Sequence, residues 1–303
     1  MPNVKKKPSA APDKVPKAKN KPSAPPARRC GPARRCVPVD TGMPVLTALL
    51  LWIVPLMEEA RSQNPGLDLH SIEFYSGQAA NTKGVERQGL AAVGYDKSYN
   101  PITQDILTDN GFKAAIRLLA RLKPGGAVWA APKCSSWVFL CTSNSKRSAQ
   151  NPNGNTSLPF VAEGNEIAKR TVALLLVAVT MLHAFVYIEQ PVSSLMPHAE
   201  PLKSFIGEHL PYCIATPLGS FGAPTQKTIH VWSNNPQVSK LKRKTQLHED
   251  RLTFVSHGSV TGRKHNLQAS QAYPTDFGLE YGKLVAEDYH KSVLHETFGD
   301  MFD

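Results

Sequence analysis

Hydrophobic and polar positions follow two alternating patterns over the central two thirds of the chain. Short apolar runs, typical of buried strands, are separated by stretches with an apolar residue at every third or fourth position, typical of amphipathic helices. The predicted strands are 70–77, 91–96, 127–132 and 185–191. The predicted helices between them are 79–89, 111–122 and 163–184. Strands that alternate with helices predict an α/β fold, a mostly parallel sheet with helices on both faces.

The longest apolar segment, at 43–57, reads MPVLTALLLWIVPLM and precedes the first strand. It is shorter than the ~20 residues that span a bilayer, and Pro55 interrupts it. We therefore expect a helix packed on the domain, with a membrane anchor as the alternative.

The first 40 residues carry most of the positive charge. Seven lysines and four arginines stand there against two aspartates, a net charge of +9 out of +11 for the whole chain. The same segment holds nine of the 25 prolines and repeats KPSA and PARRC. Because this composition cannot bury enough apolar surface, we expect disorder. Such an arm binds polyanions or acts as a nuclear address, and a purely solvating tail is the alternative.

These patterns divide the chain into four parts: a basic tail (1–42), an apolar helix with its linker (43–66), the main domain (67–295) and a C-terminal tail (296–303). The five cysteines are scattered, without the histidine or cysteine spacing of a metal site, so no metal is predicted. Together with the expected lack of a signal peptide, they favour a nuclear or other intracellular location.

Small and acidic residues follow the first two predicted strands, at the ends where parallel sheets bind ligands. Gly77 ends the first strand in a turn that lets the backbone approach a ligand. Asp96 closes the second strand, where an acidic residue receives ribose hydroxyls, although a plain surface carboxylate fits equally well. Asp105, further along, has the acceptor that an adenine amino group requires.

Two reactive side chains, Cys134 and Glu189, end later strands of the same predicted sheet. A thiolate attacks electrophilic carbon best when a nearby cation lowers its pKa, and Lys133 adjoins Cys134. Glu189 follows four apolar or aromatic residues, so desolvation is expected to raise its pKa and let it hold or deliver a proton. An isolated cysteine is more often an inert buried side chain. Two such groups at neighbouring strand ends, however, would converge on one substrate.

The order of these motifs resembles the cytosine-5 nucleic-acid methyltransferases, which use S-adenosyl-L-methionine. The elements are F-x-x-G, the later Asp and Asp-Ile, P-x-C, IEQP and FGAPTQKTIHVWSN, within about residues 69–290. The resemblance implies a Rossmann-like fold of the class I methyltransferase type. It also implies methyl transfer to C5 of cytosine in nucleic acid, with DNA favoured over RNA, through a covalent cysteine adduct.

The resemblance implies a cofactor site formed by Phe74, Gly77, Asp96, Asp105, Ile106 and Pro132. The F-x-x-G motif would hold the methionine end, with Ala79 in place of a second family glycine. The aspartate after the second strand would hold the ribose, and the Asp-Ile pair would contact the adenine.

The implied catalytic residues are Cys134, Glu189 and Lys227. The family's Pro-Pro-Cys-Gln or Pro-Cys-Gln becomes Pro-Lys-Cys-Ser here, and its Glu-Asn-Val or Glu-Asn-Pro becomes Glu-Gln-Pro. The family's Gln-x-Arg-x-Arg aligns with Thr225, Lys227 and Ile229, so one of its two cations is retained. Ser135 and Trp137 are expected to line the pocket of the base.

Only about forty residues separate VWSNN from SQAYPTDFG, too few for a full target-recognition region. They include a basic cluster expected to contact nucleic acid, consisting of Lys240, Lys242, Arg243 and Lys244. Specificity would then be low, or come from a partner or from the loop at 142–160. The altered motifs also leave an alternative function open, a catalytically weak or inactive module that binds nucleic acid or regulates other proteins.

Overall fold

The structure, a computed structural model, describes residues 43–63, 66–245 and 272–298. The expected basic tail at 1–42 and the last residues of the expected C-terminal tail, 299–303, lie outside the described residues.

The described residues form six strands and seven α-helices. The strands are β1 (Leu69–Phe74), β2 (Ala92–Tyr95), β3 (Leu122–Ala130), β4 (Phe185–Pro191), β5 (Tyr212–Pro217) and β6 (Thr228–Ser233). The helices are α1 (Met43–Gln63), α2 (Ala80–Glu86), α3 (Asp109–Ala120), α4 (Thr142–Ser145), α5 (Pro159–Leu182), α6 (Leu202–His209) and α7 (Thr275–Phe298).

All six strands belong to one sheet with the order β2-β1-β3-β4-β6-β5. The first four strands are parallel, and β6 runs antiparallel between β4 and β5. The α/β fold with a mostly parallel, Rossmann-like sheet is therefore confirmed. Because β1 pairs with β2 on one side and β3 on the other, the chain switches direction there. In such sheets a ligand crevice lies at the carboxyl ends of the two strands that flank the switch.

Helices cover both faces of the sheet. One buried cluster joins the sheet to α1, α3, α5 and α6, and a second joins its other face to α2 and α7. Successive residues of a strand point to opposite faces of the sheet, so Val128 lies in the first cluster and Trp129 in the second. The central strands β1 and β4 and the second half of β3 are thus buried on both sides, which explains why their apolar runs in the sequence are nearly continuous.

The apolar segment before the first strand is a helix packed on the domain, as predicted. In α1, Ile53 and Met57 are buried, and Trp52 stacks on Phe112 with ring centroids 5.7 Å apart. Across the described ranges, none of the helices has the length and apolarity that a membrane crossing requires.

The last helix, α7, crosses α2 at direct backbone contact. A Cβ atom on Gly278 would lie 2.1 Å from the Ala80 carbonyl oxygen, and one on Gly84 would lie 1.8 Å from the Gly278 carbonyl oxygen. No real side chain tolerates such distances, so the glycines permit the crossing. The crossing places α7, and Tyr273 just before it, against the sheet.

Candidate functional site

The turn between β1 and α2 has an unusual backbone. Tyr75, Gly77 and Ala79 all have positive φ, at 61°, 51° and 55°, a region that only glycine enters without strain. Tyr99 stabilises the turn by donating its hydroxyl hydrogen to the Gly77 carbonyl at 2.8 Å. Backbone strain of this kind is concentrated at ligand-binding and active sites. In such turns, successive backbone N–H groups point to one side and can bind an anion.

Asp96 joins this turn to the end of β2. One of its carboxylate oxygens accepts the Gly77 N–H at 2.9 Å. The other accepts the N–H and hydroxyl of Ser98, at 2.8 and 2.7 Å. The carboxylate is therefore fixed in orientation beside the crevice, at the position predicted from the sequence for a ribose contact.

Asp105 is buried and already has a cation as partner. Its carboxylate lies 2.6 Å from the Lys97 ammonium and accepts the Leu107 N–H at 3.0 Å. Burial acts to raise the pKa of this carboxyl, but the hydrogen bonds from Lys97 and Leu107, together with the charges of Lys97 and Arg170, outweigh it and the pKa is lowered. An adenine amino group would have to displace Lys97, whose side chain is 62% exposed and has room to move.

The remaining candidate cofactor residues are buried. Phe74 and Ile106 belong to the buried core, and the Phe74 ring meets Tyr95 edge-on at 5.6 Å. Pro132 is also buried, and its carbonyl accepts a hydrogen bond from Gln190. The structure thus gives these side chains a supporting position rather than a place at the surface of the crevice.

Cys134 is half-buried four residues beyond the end of β3. Burial raises the pKa of its thiol, the Lys227 ammonium opposes the rise and the Glu189 carboxylate adds to it. The three predicted catalytic residues therefore lie close enough to act on one another's charge. Lys133 points elsewhere, because its ammonium pairs with Glu163 at 3.1 Å. The cation that favours the thiolate is Lys227, and the thiol is neutral at neutral pH.

Glu189 is 5% exposed at the end of β4. Its Oε2 accepts the Tyr273 hydroxyl at 3.0 Å, and its Oε1 lies 4.0 Å from the Lys227 ammonium. Among the described residues, Oε1 has no hydrogen-bond partner. Burial raises the pKa of this carboxyl although Lys227 and Tyr273 act in the opposite direction. The predicted rise by desolvation is confirmed.

Arg147 organises the loop that follows Cys134. Its guanidinium lies 3.3 Å from the centre of the Trp137 ring, and burial lowers its pKa to about 10. It donates hydrogen bonds to Ser136, Pro152, Val161 and Asn165. Trp137 is fully buried beneath it, so the expectation that this indole lines a pocket is wrong, whereas Ser135 is exposed.

Two of the four residues in the basic cluster form ion pairs with α7. Lys240 pairs with Glu287, and Arg243 pairs with Glu280 at 3.0 Å while its guanidinium lies over the Phe221 ring. These contacts hold the segment on α7, and they reduce the positive charge of Lys240 and Arg243 that is available to bind a phosphate. The side chains of the other two predicted contacts, Lys242 and Lys244, are exposed.

Sequence reasoning missed Glu73, a buried carboxyl beneath the β1–α2 turn. It is 1% exposed, and its Oε2 accepts the Thr82 N–H and hydroxyl at 2.8 and 2.7 Å. Burial raises its pKa to about 7. Its Oε1 and both amide atoms of the buried Asn81 lack hydrogen-bond partners within the described segments. The available signal was an acidic residue inside an apolar strand.

Comparisons with known proteins add little to this geometry. No protein-family model matches the chain, and no curated protein matches it. Among solved structures, it is similar to a methyltransferase of Entamoeba histolytica, with 16% identity and a TM-score of 0.35 over 60% of this chain. The match spans 57% of that methyltransferase. The fold assignment rests on the sheet order and strand directions described above.

Proposed function

We propose that the protein transfers a methyl group from S-adenosyl-L-methionine to C5 of cytosine in nucleic acid, with DNA favoured over RNA. The observation that carries the proposal is the convergence of Cys134, Glu189 and Lys227 at the carboxyl edge of a Rossmann-like sheet. A thiol, a carboxyl of raised pKa and a cation are the groups that addition to a pyrimidine ring requires.

The residues at the switch point fit the cofactor. The strained turn around Gly77 would receive its amino-acid end, with the unpartnered atoms of Glu73 and Asn81 beneath. Asp96 would accept hydrogen bonds from the ribose, and Asp105 would accept one from the adenine after release of Lys97. When bound, the cofactor would supply an electrophilic methyl group.

The target base would be flipped out of its stack into this edge. The Cys134 thiol would lose its proton to solvent, and its sulfur would then bond to C6 while Glu189 donates its proton to ring N3, so the electron pair of the C5–C6 double bond becomes available at C5. The C5 pair would form the new bond to the methyl group as the bond between that methyl group and the cofactor sulfur breaks, with the bonding pair left on the cofactor sulfur. Loss of the C5 proton to a base, return of the N3 proton to Glu189 and cleavage of the sulfur–C6 bond would restore the aromatic ring and return the pair to the cysteine sulfur.

The electrostatics of the site couple these steps. The charge of Glu189 raises the pKa of Cys134, whereas the charge of Lys227 lowers it. When the nucleobase hydrogen-bonds to the neutral form of Glu189, the negative charge that raises the pKa of Cys134 is absent. The charge of Lys227, which lowers that pKa, remains. Binding of the substrate therefore favours the thiolate at the moment when it is needed.

The experiment combines calorimetry with S-adenosylhomocysteine and an assay of labelled methyl transfer to DNA and RNA. We expect Asp96→Ala to weaken binding by about 1–3 kcal/mol, the value of a lost hydrogen bond, and the exposed Asp109→Ala to leave it unchanged. Cys134→Ser should keep cofactor affinity and abolish transfer. DNA that carries 5-fluorocytosine should form an adduct with the wild type that survives denaturation. A wild type without heat of binding, transfer or adduct contradicts the proposal.

A second function, a nucleic-acid-binding or regulatory module with the same fold, is favoured by the ion pair that occupies Asp105 and by the burial that raises the pKa of the Cys134 thiol. It predicts binding of nucleic acid without transfer or adduct in the same experiment. This second function also predicts that bound substrate leaves the raised pKa of Cys134 unchanged.

A further inference from the structure

Tyr273 reaches Glu189 from a distant part of the sequence. It lies two residues before α7, and its hydroxyl is 3.0 Å from Glu189 Oε2. The indole Nε1 of Trp129, on the neighbouring strand β3, is 3.3 Å from the same hydroxyl. A chain of two hydrogen bonds thus leads from the core of the sheet to the candidate catalytic carboxyl.

The direction of this chain is fixed by chemistry. An indole N–H is a donor only, so Trp129 uses a lone pair of the Tyr273 oxygen. The Tyr273 hydroxyl hydrogen is then free for Glu189 Oε2, which accepts it. The arrangement leaves Oε1 as the oxygen without a hydrogen-bond partner among the described residues.

We propose that Tyr273 is the positioning residue of Glu189. Its hydroxyl hydrogen-bonds to Oε2, so that Oε1 is the oxygen presented to the nucleobase that accepts the methyl group. The identity of the acceptor rests on the proposed function, but the orientation of the carboxyl does not. Tyr273 orients Glu189 and does not itself contact the base.

The surroundings of Tyr273 suit this role. Its ring meets Trp129 edge-on at 5.9 Å and Phe277 at 5.1 Å, so aromatic contacts hold the hydroxyl in place. On the opposite side of the carboxyl, the Lys227 ammonium stays 4.0 Å away, beyond hydrogen-bond distance.

The first measurement follows the Glu189 carboxyl by infrared titration in the full-length protein, with Glu189→Gln to assign the band. The charged or titratable groups that act on it are Lys227, Tyr273 and Cys134. Because the hydroxyl stabilises the carboxylate form, Tyr273→Phe should raise the pKa of Glu189. Tyr281→Phe is the matched control, since its hydroxyl lies in the same aromatic cluster but contacts Ser71. Trp129→Phe, which weakens the same donor, should give a smaller rise.

The second measurement separates orientation from cofactor binding. In Tyr273→Phe, we expect kcat/KM for a cytosine-containing oligonucleotide to fall about tenfold, as for loss of one hydrogen bond to a charged group. Affinity for S-adenosylhomocysteine should stay at the wild-type value. An unchanged Glu189 titration in both Tyr273→Phe and Trp129→Phe overturns the inference, even if the wild type methylates cytosine. A raised Glu189 pKa supports it, even if the wild type shows no transfer and the proposed function fails.

Discussion

Gln190 donates its side-chain N–H to the carbonyl oxygen of Pro132 at 2.7 Å and so joins the two segments that carry Glu189 and Cys134. Its other amide atom accepts the Ser194 hydroxyl, also at 2.7 Å. Gln190 is completely buried, which leaves both hydrogen bonds dependent on protein partners. The amide group therefore adds to the backbone pairing of β3 and β4 in fixing the relative position of the two candidate catalytic residues.

Replacement of that amide should destabilise the protein. In Gln190→Leu, the Pro132 carbonyl and the Ser194 hydroxyl lose their partner in a buried place, at a cost of about 1–3 kcal/mol in the free energy of unfolding. Denaturant unfolding measures this cost. Gln63→Leu is the control, because that side chain is exposed and bonds only to Glu59 at 3.1 Å. Equal stabilities for the two variants would show that the Gln190 contact is absent in solution.

The reactivity of Cys134 should follow the charges around it. Glu189→Gln removes a negative charge that raises the thiol pKa, so alkylation by iodoacetamide at pH 8 should become faster. Lys227→Met removes the cation that lowers the pKa and should slow the reaction. Cys213, elsewhere on β5, is the internal reference in each reaction followed by mass spectrometry. Identical rates in the two variants would contradict the placement of both charges beside Cys134.

Arg147 should be more important for stability than its polar surroundings in the sequence indicate. Arg147→Ala removes the guanidinium that covers Trp137 and takes away the hydrogen bond that it donates to the buried Ser136 hydroxyl. We expect a loss of about 2–4 kcal/mol in the free energy of unfolding. The exposed Arg117→Ala should change it by less than about 0.5 kcal/mol. A small loss in both variants would mean that the loop is solvated.

The central strands and helices were predictable because burial on both faces leaves a strong apolar signal. β4 runs over 185–191, the same limits that the sequence predicts, since four apolar or aromatic residues begin the strand and a proline ends it. The antiparallel strands β5 and β6 were not predicted, although alternate residues of β6 from Ile229 to Ser233 are buried. That alternation is typical of a half-buried strand, but the segment enters the sequence prediction only as part of a motif.

The site was predictable only in part, because its supports come from distant segments. Glu189 lies near the end of β4 and Cys134 lies in the loop that follows β3, and the sequence predicts both on the same edge of the sheet. The Tyr273 contact to Glu189 spans 84 residues, and no local pattern reveals it. Arg147 lies in a polar loop whose composition is typical of solvated chain. A buried arginine shows itself only when the groups that hydrogen-bond to it are placed in space.

The glycines at the α2–α7 crossing give a steric prediction with a control in the same protein. Gly278→Ala would place a Cβ atom 2.1 Å from a backbone oxygen of α2, so the helices must separate. We expect a loss of about 1–3 kcal/mol, typical of overpacking, measured by thermal or denaturant unfolding. Gly207 lies in α6 with no atom within 4 Å of its Cβ position, so Gly207→Ala should be neutral or stabilise by about 0.5–1 kcal/mol. Equal losses would exclude the close crossing.

Glu73 should make stability depend on pH in the direction opposite to an ordinary paired carboxylate. Its pKa is raised from 4.5 to about 7 in the folded state, so between these values the folded protein binds a proton that the unfolded chain has released. This stabilising contribution is complete below about pH 4.5 and is lost as the pH rises through about 7. Relative to Glu73→Gln, which keeps an acceptor for Thr82, the wild type should lose about 2–4 kcal/mol of unfolding free energy from pH 4.5 to pH 8. Glu86→Gln, exposed on α2, should show no such difference. A difference between wild type and Glu73→Gln that stays constant over this range would mean that Glu73 is ionised throughout and that its buried oxygen has a partner in solution.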